Sequence, residues 1–110
     1  MTQSLPNLPD APAPEDIRLY TAAAAEGNAE TVFHFLKRWP QYVDARDEKT
    51  WTALMHAARE GHENLVVLLL SQGANPSATD RFDRTARWFA RRGGHAAIAA
   101  LLRDTMKPQP

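Results

Sequence analysis

The middle of the chain carries two short helical patterns of apolar residues, one on each side of Gly61. Residues 53–60 place apolar and small side chains at helical spacing, and residues 63–71 are apolar on most sides. Thr52 precedes the first pattern, where its hydroxyl can accept a backbone N–H bond as an N-cap. Gly61 suits the left-handed conformation in which many helices end. The pattern therefore predicts helices over 53–60 and 63–71.

These two predicted helices cannot be stable alone. Helices this short are marginal in water, so tertiary packing must hold them. The second is apolar nearly all round and needs neighbours on more than one side. The first is rich in alanine, which lets a neighbouring backbone approach closely. The pattern therefore indicates a stack of similar helix pairs.

The same pattern recurs along the chain at a nearly constant spacing. Identical residues at an offset of 33 are Asp47 and Asp80, Thr52 and Thr85, Ala53 and Ala86, Gly61 and Gly94, His62 and His95, Leu68 and Leu101, and Leu69 and Leu102. Identical residues at an offset of 34 are Ala23 and Ala57, Ala24 and Ala58, Gly27 and Gly61, Val32 and Val66, and Leu36 and Leu70. Self-similarity at this period predicts a stacked repeat architecture.

The middle copy resembles the ankyrin repeat. It has T-A-L-M-H-A-A-R-E-G-H at 52–62, V-V-L-L-L at 66–70 and G-A-N-P at 73–76. The family pattern is T-P-L-H-x-A-A-x-x-G-H, then V-V-x-L-L-L, then G-A-D. The resemblance covers about residues 16–105 and implies an all-α solenoid of about three helix-turn-helix repeats with short β-hairpin-like loops. The short chain is also similar to bacterial ankyrin proteins that act as inhibitors or immunity factors.

Proline and the repeat register predict the domain boundaries. Six of the eight prolines lie near the two termini. We therefore expect a disordered proline-rich arm at 1–14 and a disordered tail at 106–110. Between them we expect an ankyrin-repeat domain at 15–105, with an N-terminal cap repeat at 15–46, a full repeat at 47–79 and a C-terminal cap repeat at 80–105.

Departures from the family pattern support the assignment of the last copy as a cap. Arg87 stands where the middle copy has Leu54, and Arg91 stands where it has Ala58. An unpaired guanidinium in an interior would cost several kcal/mol, so these positions are expected to face water. A methionine (Met55) and a tryptophan in the next copy replace the histidine of the family pattern. We therefore expect the hydrogen bonds of that histidine to be missing.

The formal net charge is zero, but the charge is unevenly distributed. Residues 1–80 hold 6 basic and 11 acidic side chains, whereas residues 81–110 hold 7 basic and 2 acidic ones. The spacing predicts that Arg84, Arg87 and Arg91 share one face, with Arg92 and Arg103 nearby. Such a face is either a solvated cap or an electrostatic binding site for nucleic acid or an acidic protein.

The sequence offers little that could carry catalysis. It has no cysteine, so a thiolate metal site and a cysteine nucleophile are excluded. Its four histidines lack the spacing of a zinc site, and two of them, His62 and His95, occupy a repeat position where the resemblance implies a structural hydrogen bond. Gly93 and Gly94 lack the frame of a phosphate-binding loop. We expect no enzyme activity, no metal and no cofactor.

The resemblance implies that partners bind on the hairpin fingers and on the exposed side of the first helices. The candidate partner-binding residues are Arg46, Glu48, Lys49, Trp51, Arg59, Glu60, Thr79, Arg81, Phe82, Arg84 and Arg92. Two of them, Trp51 and Phe82, are large aromatic residues of the kind that anchor interfaces. Each ring is either an exposed anchor or folded back over the neighbouring finger.

The function predicted from these features is that of a non-catalytic adaptor or inhibitor. The partner is expected to be another protein, and the alternative is the electrostatic binder of nucleic acid or an acidic protein described above. The longest strictly apolar run has six residues, too few to cross a bilayer. With no secretory signal found, we expect a monomeric cytoplasmic protein without a membrane partner, and an obligate oligomer is the remaining alternative.

Overall fold

A computed structural model describes residues 11–106 as three pairs of antiparallel α-helices. The helices are α1 (Pro14–Glu26), α2 (Ala29–Arg38), α3 (Ala53–Glu60), α4 (Glu63–Ser71), α5 (Ala86–Arg92) and α6 (Ala96–Thr105), with one 3₁₀ turn at Pro40–Tyr42. Both helices predicted for the middle copy are confirmed. Within residues 11–106, no helix is long and apolar enough to cross a membrane.

The three pairs lie side by side, so the first helix of each pair packs against the first helix of the next. Ala57 and Ala58 are fully buried where α3 is held between α1 and α5. Leu54, Leu69 and Leu102 continue the core along the stack. The small residues of the first helices thus permit the close approach that the sequence predicts, and burial of apolar surface between pairs stabilises them.

The caps repeat with the sequence. The Thr52 hydroxyl accepts a hydrogen bond from the Met55 backbone N–H at 3.3 Å, and the Thr85 hydroxyl accepts one from the Trp88 N–H at 3.2 Å. Gly61 ends α3 in the left-handed region, with φ of 83°. Met55, which stands in place of the family histidine, accepts a hydrogen bond from the Thr52 N–H through its Sδ at 3.4 Å.

Histidines after the turn glycines join each repeat to the one before it. His62 Nε2 lies 2.9 Å from the Ala25 carbonyl oxygen, and His95 Nε2 lies 3.0 Å from the Arg59 carbonyl oxygen. A Cβ added to Gly61 would lie 2.5 Å from His95 Cε1, so this glycine also leaves room for the ring. The structural role expected for both histidines is confirmed.

The first pair closes the amino end of the stack around Tyr20. Its ring stacks on Phe35 at a centroid distance of 4.0 Å, and its hydroxyl donates to the Val43 carbonyl oxygen at 2.8 Å. Burial raises the pKa of Tyr20 far above its usual range, and the nearby Asp44 charge adds to the rise. Pro14, placed in the arm by the sequence, is the first residue of α1. The rest of the arm before residue 11 and the tail after 106 lie outside the described residues.

Candidate protein-binding face

Two tight loops, built in the same way, precede α3 and α5. The first finger is residues 47–51, and the second finger is residues 80–84. The Asp47 N–H donates to the Trp51 carbonyl oxygen, and the Asp80 N–H donates to the Arg84 carbonyl oxygen, both at 3.0 Å. The fourth residue of each finger has a positive φ, 67° in one and 65° in the other. The 33-residue offset therefore extends from the sequence to the backbone of the fingers.

The aspartate at the start of each finger holds the loop closed. One Asp47 carboxylate oxygen accepts the N–H groups of Lys49 and Trp51, and the other lies 2.7 Å from His56 Nε2. Asp80 likewise accepts two N–H groups of its own finger, and its other oxygen accepts from Arg84 Nε at 2.8 Å. The loops are therefore fixed by side chains within the repeat.

Asp80 is held in its charged form. Burial by itself raises the pKa of this carboxyl group, but the hydrogen bonds and charge of Arg84, together with the Phe82 N–H, lower it more. The net result is a pKa below the usual aspartate range. The carboxylate of the second finger is thus an ionised partner that orients Arg84.

Several predicted binding residues join the two fingers to each other. Arg46 Nη1 donates to the Thr50 carbonyl oxygen at 2.9 Å and to the Thr79 carbonyl oxygen at 2.5 Å. The Arg81 N–H donates to the Thr50 hydroxyl, and Arg81 Nη2 donates to the Glu48 carbonyl oxygen, both at 2.8 Å. Arg46 and Arg81 therefore use hydrogen bonds to hold the neighbouring repeats together at the fingers.

The two aromatic rings of the fingers differ in their environment. Trp51 folds back, with its centroid 4.4 Å from that of Phe89 and 4.9 Å from that of His56. Phe82 stays 66% exposed, and the Arg84 guanidinium lies 4.9 Å from its centroid. The question left open by the sequence thus has a different answer for each ring.

A cleft of about 600 Å³ opens between the fingers and the ends of α3 and α5. This inner cleft is lined by Trp51, Arg59, Glu60, Arg84, Trp88, Phe89, Arg92 and Gly93. It brings together five of the predicted binding residues. The others lie on the two fingers or directly before them in the chain. Glu48 pairs with Arg18 at 3.7 Å, and Lys49 lies 5.2 Å from the Trp51 centroid.

Arginine and tryptophan alternate across the inner cleft. The Arg59 guanidinium lies 5.7 Å from the Trp51 centroid, and that of Arg84 lies 5.9 Å from Trp51 and 5.0 Å from Trp88. Arg92 completes this cation–aromatic row at 5.4 Å from Trp88. Such contacts hold each guanidinium over a ring and leave hydrogen-bonding groups available to a ligand.

Trp88 also lines the inner cleft, although it is not among the residues that the sequence predicts to bind a partner. Its counterpart one repeat earlier, Met55, is fully buried, whereas Trp88 is 39% exposed. A tryptophan is much larger than a methionine, and its ring lies against Phe89 at 5.1 Å on the cleft side of α5. The available signal was this size change at an inner position.

Arg84, Arg87 and Arg91 do not share one face, so that prediction is wrong. Arg84 precedes α5, because the helix begins at Ala86, and it turns to Asp80 and into the inner cleft. Arg87, Arg91 and Arg103 line a second hollow of about 420 Å³ at the carboxyl end of the stack, the end groove. Arg92 lines the inner cleft and a third hollow that it shares with Arg87 and Arg91, but it does not line the end groove.

Metal ligation has little support in the described structure. Among residues 11–106, no group of three or more histidine and carboxylate side chains could hold a metal ion. The closest histidine–carboxylate contact, between His56 and Asp47, is used within the first finger. The inner cleft is therefore better suited to polar and aromatic contacts than to metal chemistry.

Comparisons with known proteins agree with the repeat architecture. A family model described as "Ankyrin repeats (3 copies)" matches residues 19–109. The NAD-capped RNA hydrolase NUDT12 of Macaca fascicularis is 35% identical over 91 residues, which are 83% of this chain and 20% of that protein. The ankyrin repeat protein nuc-2 of Neurospora crassa is 33% identical over 85 residues, 76% of this chain and 8% of that protein. The chain thus spans about a fifth of the first relative and less of the second.

Proposed function

Because the chain belongs to the ankyrin-repeat family, whose repeats are generally protein-interaction modules, we propose that it binds one partner protein through the inner cleft and the second finger. The proposal rests on one observation above all. Three arginines and two tryptophans converge in a single cleft beside an exposed phenylalanine. Tryptophan and arginine are the residue types that dominate the energetics of protein interfaces.

The proposed role is that of an adaptor or inhibitor without catalysis. The printed name of the Macaca relative describes a hydrolase, but this chain matches only 20% of its length. The inner cleft is lined by arginines, aromatic residues, one glycine and Glu60, whose carboxylate lies 2.7 Å from Arg59. A nucleophile with an adjacent base is not among these lining groups.

Partner capture by matched alanine variants tests this proposal. Phe82→Ala removes an exposed ring beside the cleft, and Phe33→Ala removes an exposed ring on α2, outside the cleft. We expect Phe82→Ala to weaken capture of a partner from source-cell extract about tenfold or more, as loss of an interface anchor does. Phe33→Ala should leave capture unchanged. Equal effects of the two variants would contradict the proposal.

Trp51 is a poor choice for that test. Because its ring packs on Phe89 and His56, its removal is expected to loosen the fold as well as the cleft. The packing predicts a lower melting temperature for any variant that lacks Trp51.

The end groove supports a second candidate function, the electrostatic binding of nucleic acid or an acidic protein. Three arginines line this groove without a lining carboxylate, and Arg87 Nε is buried with no hydrogen-bond partner among the described residues. A gel-shift titration across salt concentrations tests the nucleic-acid form. Phosphate binding must weaken steeply as salt rises, and Arg87→Gln with Arg91→Gln should reduce the slope by about two. No shift at low salt would exclude nucleic acid.

A further inference from the structure

We propose that the inner cleft recognises an acidic segment of the partner, whose carboxylates pair with Arg92 and Arg84 while an adjacent apolar side chain rests on the exposed ring of Phe82. This inference deepens the proposed function and depends on it. It names the chemistry of the partner at the same site. The occupant is a peptide segment that carries glutamate or aspartate.

The charge of the inner cleft favours such an occupant. Of its three arginines, Arg59 is paired with Glu60 at 2.7 Å, and Arg84 is paired with the buried Asp80. Arg92 contacts the Trp88 ring but forms no ion pair with a carboxylate in the described part of the chain. The cleft therefore has excess positive charge, and Arg92 has guanidinium N–H groups to offer a ligand.

The arginines are also held in place before a ligand arrives. Arg84 Nε and Nη2 lie 2.8 Å and 2.7 Å from the same Asp80 oxygen, and the guanidinium lies near four aromatic rings. The Trp88 ring lies between Arg84 and Arg92. A carboxylate that enters the cleft meets cations that lose little conformational entropy on binding, which favours affinity.

The same ring contacts disfavour a nucleic-acid occupant. Bases bind single-strand sites by stacking on open aromatic faces. Trp51 is surrounded by His56, Phe89 and three cationic side chains, so its ring has little free surface. The guanidinium groups of Arg84 and Arg92 lie 5.0 Å and 5.4 Å from the Trp88 centroid in the cation–aromatic row. The rings of the cleft are thus already stacked, whereas the guanidinium edges remain available to carboxylates.

Titration of the ¹⁵N-labelled full chain with a defined acidic peptide tests the inference. The probe is acetyl-Glu-Glu-Leu-Glu-Glu-Leu-amide, and its matched control carries glutamine in place of each glutamate. A single-stranded oligothymidylate reports on nucleic acid. The three tryptophan indole N–H signals give the location, because Trp51 and Trp88 line the cleft while Trp39 packs on Phe35 at the other side of the stack.

We expect the acidic peptide to shift the indole signals of Trp51 and Trp88 but not that of Trp39. Arg92→Gln should weaken binding about tenfold, as loss of one charge-assisted pair does. Lys37→Gln removes one positive charge from an exposed position on α2, outside both the cleft and the end groove, and should change the affinity less than about twofold.

Four results would overturn the inference: equal shifts with the glutamine peptide, tighter binding of the oligothymidylate, equal effects of Arg92→Gln and Lys37→Gln, or no shift at all. The matched phenylalanine variants separate this failure from failure of the proposed function. If Phe82→Ala still abolishes partner capture, the cleft binds a partner of another chemistry. If capture is insensitive to Phe82→Ala as well, both proposals fail.

Discussion

The first and second fingers have the same backbone, but they exchange the positions of a basic side chain and an apolar aromatic ring. The first finger ends in Trp51 and receives His56 from α3, whereas the second ends in Arg84 and receives Phe89 from α5. In the first finger the His56 imidazole contacts the second carboxylate oxygen of Asp47. In the second finger the Arg84 guanidinium contacts the second carboxylate oxygen of Asp80. The finger needs such a partner for its aspartate, and either position can supply it.

The exchange also explains why the inner cleft lies where it does. Arg84 and Phe89 both come from the third repeat, and both contact Trp51 of the second repeat. Two fingers with identical residues would not produce the cation–aromatic row. The difference between neighbouring repeats, on a shared backbone, is thus what creates a surface specific to this chain.

The largest effect is expected from removal of the aspartate of the second finger. Asp80→Ala leaves two finger N–H groups and the Arg84 guanidinium without their acceptor, and should lower the free energy of unfolding by about 3–5 kcal/mol. Urea unfolding followed by circular dichroism measures it. Asp47→Ala should cost less, since its partner is a histidine and its carboxylate is 12% exposed, whereas that of Asp80 is fully buried. A larger loss of unfolding free energy for Asp47→Ala than for Asp80→Ala would contradict the difference expected between the two fingers.

A double substitution tests whether positions 84 and 89 are coupled. Arg84→Trp and Phe89→His together place the tryptophan and the histidine of the first finger at the equivalent positions of the second. Each single variant should destabilise the chain, and the double variant should recover about 1–2 kcal/mol of the summed loss through the restored histidine–aspartate contact. Additive losses in urea unfolding would show that the two positions act independently.

Acid should reveal the charge of Asp80. Because its pKa is lower in the folded chain than in the unfolded chain, its contribution is fully present above the usual aspartate range, near 3.8, and is lost as the pH falls through the lowered pKa. The stability difference between wild type and Asp80→Asn should therefore narrow below about pH 4. Urea midpoints measured at decreasing pH test this, and a constant difference would contradict it.

The smallest effect on stability is expected at the finger tip. Phe82→Ala removes a largely exposed ring and should change the free energy of unfolding by less than about 0.5 kcal/mol. Thermal melting is the measurement, with Phe33→Ala as its control. A loss above about 1 kcal/mol would mean that Phe82 stabilises the fingers instead of remaining available to a partner.

Periodicity was sufficient to predict the helices, the caps and the stacking, because these depend on spacing that the sequence displays directly. Thr52, Gly61 and the buried alanines of α3 are examples. The candidate site was only partly predictable. Trp51 folded back on Phe89 of the next repeat, a contact that the residues adjacent to Trp51 do not encode. Trp88 is 39% exposed at the position where the middle copy buries Met55.

The arginine prediction failed for a related reason. Helical spacing was extended to Arg84, which lies before the first residue of α5 and is drawn to Asp80 by two hydrogen-bonding contacts. Thr85 is the N-cap of α5, so Arg84 lies outside the helix that contains Arg87 and Arg91. Spacing is thus a reliable guide within a helix and a poor one across its cap.

Site-specific photo-cross-linking tests the claim that this chain acts by holding a partner on its inner face. A benzophenone side chain replaces Phe82 in one variant and Phe33 in the other, and each is irradiated in source-cell extract. A protein adduct from the Phe82 variant and none from the Phe33 variant is the predicted result. An adduct from the Phe33 variant alone, or from neither, would contradict it.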